Sequence, residues 1–157
     1  MLENDSFEKE VLRLEPVLYR ISVSILKNVT DAEDAVQNAI LIAYEKRGLL
    51  KNPDAFGKWL IRILVRCCYK ALRHRERYCD IGDDLSFVPA EDNPYVKIEI
   101  RELLDVLPVR VRTVVMLHYV EGYSVKEIHR ILGIPEGTVK SRLSTARRLL
   151  QGYLEET

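Results

Sequence analysis

The residues best placed to do chemistry in this chain are cations set at helical spacing. Lys58, Arg62, Arg66 and Lys70 recur every four positions, so on a helix they line one face, with Arg73 close behind. Four charges along about 18 Å of helix can track a nucleic-acid backbone and release its counterions. A second set lies near the C-terminus. On a helix opening at Glu136, the solvent side carries Lys140, Ser141, Ser144, Thr145 and Arg148, with Arg142 and Arg147 at its flanks. Thr138 lies in its first turn, and Lys126 in the helix before. Short hydroxyls interleaved with arginines can reach both phosphates and base edges in a major groove.

Other chemistries find little support. Nothing pairs a nucleophile with a base or forms a phosphate loop. Cys67, Cys68 and Cys79 are odd in number and lack CxxC spacing, and His74, His118 and His129 show no ligand spacing with them. No enzyme activity, metal or cofactor is expected. The acidic start, Met1-Leu2-Glu3-Asn4-Asp5, is unlike a signal peptide, and no apolar run approaches the ~20 residues of a membrane span. The expected location is the cytoplasm, with no membrane contact.

Net charge is zero, yet the charge is segregated. Residues 58–78 hold seven cationic side chains against Glu76 alone, giving +6. Residues 79–106 hold eight acids against Lys97 and Arg101, giving −6. Opposed blocks of this size imply separate partner surfaces.

Helices must position these groups. Val11, Leu14, Leu18, Ile21 and Ile25 give an amphipathic helix over 7–26. The sequence T-D-A-E from Thr30 reads as a capping box for a second helix ending near Tyr44. Asp54 is the expected cap of a third, residues 55–78, whose apolar face is read as Trp59, Leu60, Ile63, Leu64 and Cys67. Periodicity fails between Cys79 and Pro94, where Gly82, Asp83, Asp84, Pro89, Glu91 and Asp92 read as an acidic, flexible linker. Four more helices are expected at 95–107, 109–120, 124–132 and 136–152; the valines of the second of these also suit a strand. The result is an all-α fold of two small domains, 7–78 and 95–152, joined by linker 79–94.

The C-terminal pair reads as helix, turn, helix. Ser124 and Glu127 form a capping box, Val125, Ile128, Ile131 and Leu132 face inward, Gly133 ends the first helix, and Ile134 plugs the turn. Pro135 precedes the second helix, which turns Val139, Leu143 and Ala146 to the core. From Leu107-Pro108 through Arg148 the chain resembles region 4 of sigma-70 family factors. E-G-T-V-K-S-R-L, beginning at Glu136, is similar to its extracytoplasmic-function (ECF) branch. His129 stands where the family generally has alanine, and Thr145 where arginine is common.

Upstream, Ala55, Phe56, Trp59, Leu60, Arg62 and Ile63 match the A-F-x-x-W-L-x-R-I signature of sigma region 2, and Asp31 to Gln37 match its D-A-E-D-x-x-Q helix. The resemblance implies that Asp31, Glu33, Asp34, Gln37, Ile40 and Tyr44 dock on the β′ clamp helices of core RNA polymerase. It implies a further contact with the β flap. It also implies that Arg47, Lys51, Asn52, Lys58, Trp59, Arg62, Arg66, Lys70 and Arg73 hold the −10 promoter element as single strand. Arg66 replaces a frequent asparagine, and Lys70 a frequent aspartate. Trp59 is a candidate stacking platform, although its spacing with Ile63 predicts a core side chain.

The implied function is an alternative sigma factor that binds core polymerase and directs promoter-specific initiation, with an anti-sigma factor as an expected further partner. The alternative is a homodimeric helix-turn-helix regulator that works without polymerase. The linker's negative charge suits a polymerase channel built for nucleic acid. Replacing Asp83, Asp84, Glu91 and Asp92 by serine is therefore expected to lower run-off transcription; unchanged initiation would remove that role.

Overall fold

Helices form all the regular structure among residues 2–78 and 98–156, which this computed structural model describes. The chain divides into two units, Met1–Tyr95 and Val96–Thr157. The expected linker, 79–94, and the start of the fourth expected helix, 95–97, lie outside the described residues.

In the first unit, α1 (Asn4–Leu26), α2 (Val29–Glu45) and α3 (Phe56–Tyr78) each pack on the other two. The inward side of α2 is almost all methyl groups: Ala32, Ala35, Ala39 and Ala43, with Val36 among them, are buried. Such small residues let the flanking helices approach closely. Leu18, Ile21, Ile25 and Leu26 of α1, and Phe56, Leu60, Ile61 and Leu64 of α3, fill the space on either side. A polar chain crosses this core. The Cys68 thiol lies 3.5 Å from the Ser22 hydroxyl, which donates to the Ala32 carbonyl at 3.0 Å. Burial pushes the Cys68 thiol up to about 12, against the opposing pull of its hydrogen bond with Ser22. It is an uncharged core group at neutral pH.

Two expectations shift. Asn28, rather than Thr30, opens α2: its backbone is extended (φ −149°), and its side chain accepts from the Asp31 amide at 2.9 Å. Thr30 falls inside the first turn. Asp54 does not cap α3. Asn52 accepts from the Asp54 amide at 3.1 Å and opens a short 3-10 turn, Pro53–Ala55, that leads into α3 at Phe56.

Arg75, near the end of α3, ties all three helices together. It donates to the Leu26 carbonyl at the end of α1 (3.2 Å) and pairs with Asp31 in the first turn of α2. One guanidinium thus caps an orphan carbonyl and neutralises a carboxylate.

In the second unit, α4 (Ile98–Asp105) is followed by α5 (Val109–Val115), a π-helical turn (Met116–Val120), α6 (Val125–Leu132) and α7 (Glu136–Glu156). The valine-rich stretch is helical, with Val111, Val114 and Val115 buried. It does not run regularly to Val120, because its last turn widens to π geometry. Buried Arg112 donates to the Leu107 carbonyl at 2.8 Å and fixes the corner before Pro108.

The Arg75 tie yields a stability prediction. Arg75→Ala leaves the Leu26 carbonyl and Asp31 without their cation and should cost about 1–3 kcal/mol. Urea unfolding of Arg75→Ala, Asp31→Asn and the double variant should show coupling between the two sites; simple additivity would contradict the pair.

Candidate nucleic-acid interface

The helix-turn-helix is built as its residue types require. The Ser124 side chain accepts from the Glu127 amide and the Glu127 carboxylate accepts from the Ser124 amide, both at 3.1 Å, closing the capping box. Gly133 ends α6 in the left-handed region (φ 69°), where a side chain would be strained. Ile128 and Ile131 are buried, while Val125, Leu132 and Ile134 are half-buried.

On α7, Val139, Leu143 and Ala146 are buried, which turns the opposite side outward. Lys140, Ser141, Ser144, Arg147 and Arg148 are exposed there; Thr138, Arg142 and Thr145 are half-buried at its edges. Arg147 donates to the Tyr119 hydroxyl at 3.1 Å, which draws it toward the π-helical turn. Lys126 is exposed on α6. A Cβ placed on Gly137, in the first turn of α7, would meet no atom within 4 Å, so this end of the helix is open to a close-approaching partner.

The basic helix α3 buries Phe56, Leu60, Ile61, Leu64, Val65 and Cys68. The core arc is therefore rotated from the expected one: Trp59, Ile63 and Cys67 are half-buried. The reason is that α3 packs against both α1 and α2, which widens its buried arc toward Ile61, Val65 and Cys68. Arg66, Lys70 and Arg73 are exposed, and Lys58 and Arg62 half-buried. Helical spacing puts Trp59 on the side of Arg62 and Arg66, three and seven residues on, with its ring 6.0 Å from that of Phe56. It is half-buried beside Phe56, on the side of the basic face.

In the loop before α3 the expected residues separate. Arg47 lies over the Tyr44 ring, 3.9 Å from its centroid, and donates to the Tyr44 carbonyl at 2.7 Å. Asn52 is occupied as a cap. Lys51 is exposed, and so is Leu49, at 73%, an apolar tip that no periodicity reveals because its 3-10 turn, Arg47–Leu49, is only three residues long.

On α2, Glu33, Asp34, Gln37 and Tyr44 are exposed and Ile40 is half-buried. Asp31 is already engaged by Arg75. Tyr44 sets its ring edge-on to Phe7, 5.5 Å between centroids. Leu41, one turn after Gln37, is 57% exposed among these acids. It was readable in principle, since it falls opposite the Ala32, Ala39 and Ala43 seam on a helical wheel. Among the described residues, no group of three or more His, Cys, Asp or Glu side chains could hold a metal. No described helix is long and apolar enough to cross a membrane.

Family models for sigma-70 region 2 and sigma-70 region 4 match residues 11–78 and 97–150, which take in all of α3 and α7 as far as residue 150. The chain is 34% identical over 155 residues to the ECF RNA polymerase sigma factor SigM of Mycobacterium tuberculosis, covering 95% of this chain and 79% of that one. The chain belongs to the ECF branch of the sigma-70 family. This sigma factor is also 33% identical over 135 residues to the RNA polymerase sigma factor SigV of Bacillus subtilis, covering 85% and 81%. Its fold is similar to the sigma factor RpoE of Bartonella quintana, solved in complex with the anti-sigma factor NepR. That match has a TM-score of 0.79 and 28% identity, and covers 95% of this chain and 96% of that one.

The exposed cations of α7 set a measurable salt dependence. Lys140→Ala and Arg148→Ala should each weaken duplex binding and lower the slope of log affinity against log salt by about 1. Ser141→Ala and Ser144→Ala should leave the slope unchanged. Titrations at several KCl concentrations read both.

Proposed function

We propose that this sigma factor binds core RNA polymerase through the outer face of α2, reads a −35 element with α7, and holds the melted −10 strand on α3 and the loop before it. The observation that carries this reading is the opposition of core and charge on α7. Val139, Leu143 and Ala146 are buried, while Lys140, Ser141, Ser144 and Arg148 stand exposed behind a formed helix-turn-helix turn. The exposed stripe of Arg66, Lys70 and Arg73, with Trp59 on the same side, supports single-strand binding. Cations follow the backbone there, and an indole offers a face on which a base can stack.

On α2 the polymerase contact is Glu33, Asp34, Gln37 and Tyr44, with Leu41 as an apolar anchor among them. Asp31 serves that surface indirectly, by holding α2 to α3 through Arg75. The protein acts in the cytoplasm as a specificity subunit without catalysis of its own. A further partner is an anti-sigma factor, as in the solved complex of the similar RpoE with NepR.

Run-off transcription with purified core polymerase on genomic fragments tests this reading. The expected result is a monomer that co-elutes with core and selects discrete start sites. Gln37→Ala and Leu41→Ala should weaken co-elution while leaving duplex binding intact. A homodimer that binds a palindrome and confers no start-site selection would instead establish the regulator alternative.

A further inference from the structure

The two loops that bound α6 are closed in the same way. His118 Nδ1 lies 2.8 Å from the Tyr123 carbonyl, and His129 Nδ1 lies 2.5 Å from the Ile134 carbonyl. Each imidazole reaches five residues forward. Each carbonyl belongs to the residue directly after a left-handed glycine, Gly122 (φ 81°) or Gly133 (φ 69°). The sequence carries the repeat as His-x-x-x-Gly-x, in His118 to Tyr123 and again in His129 to Ile134.

In both loops the backbone closes one side and the imidazole the other. The Tyr123 amide donates to the Leu117 carbonyl and the Gly133 amide to the His129 carbonyl, both at 2.9 Å. A carbonyl oxygen can only accept, so Nδ1 must carry the proton in both rings. Both rings are half-buried, which limits competition from water. The first loop sets how α6 leaves the π-helical turn; the second sets how α7 leaves α6.

We infer that His118 and His129 are positioning residues, a repeated imidazole staple that fixes both ends of α6 and so the presentation of α7 to duplex DNA. This inference rests on the reading of α7 as the −35 helix. At the second staple the turn between α6 and α7 is held by a directed hydrogen bond.

Two measurements on the full chain test it. Long-range proton–nitrogen NMR should show neutral His118 and His129 as the Nδ1–H tautomer, and the urea-unfolded chain should show the ordinary mixture. The second measurement is affinity for a promoter duplex selected by the run-off experiment. Asparagine can place its amide nitrogen near the position of Nδ1, whereas glutamine places it nearer Nε2. His129→Asn should therefore bind within about twofold of the parent, and His129→Gln and His129→Ala about fivefold more weakly. The same order is expected at His118. An Nε2–H tautomer at either ring, or equal behaviour of the Asn and Gln variants, would overturn the inference. If run-off transcription selects no promoter, the function reading fails and the role in presenting α7 fails with it, while the tautomers still decide whether the staples exist.

Discussion

A helix has one circumference, and what it gives to the core it cannot give to a partner. That constraint shapes both basic helices. Burying Leu60, Ile61, Leu64 and Val65 against α1 and α2 obliges Arg66, Lys70 and Arg73 to face water. Burying Val139, Leu143 and Ala146 does the same for Lys140, Ser144 and Arg148. Each large buried side chain contributes about 1.5–3 kcal/mol. An exposed cation contributes far less to stability. The apolar arc therefore orients each helix, and the charged arc follows from it.

Much of this was legible because it depends on period and turn chemistry. The capping box and terminating glycine of α6 and the three core residues of α7 stand where the residue types require them. The valine-rich segment is helical despite its β-branched side chains, because the second unit surrounds it and buries every residue from Val111 to Leu117. The family assignment was legible for a further reason: its signatures join spacing that a fold needs to residue types that it does not.

What sequence could not supply was tertiary. Period alone placed the apolar face of α3 around Trp59 and Ile63. Contact with two neighbouring helices widens the arc toward Val65 and Cys68, and leaves Trp59 on the basic side. Asp31 looked like one more acid in a docking cluster, and only its distant partner Arg75 shows it to be a structural group. Arg112 is an ordinary arginine in sequence, yet it is buried against a corner carbonyl. Leu49 is an apolar residue left outside, which a rule that sends apolar residues inward misplaces.

The methyl-lined inner seam of α2 carries one more implication. Ala32, Ala35, Ala39 and Ala43 meet the core with the smallest possible side chains, so the fit inside demands little beyond smallness. Glu33, Asp34, Gln37 and Leu41, on the outer side of the same helix, are then free to diverge without repacking that seam. Constancy of the scaffold and change of the exposed face are thereby separated on a single segment, so a substitution outside alters what the helix offers to solvent and leaves its seat in the bundle as it was.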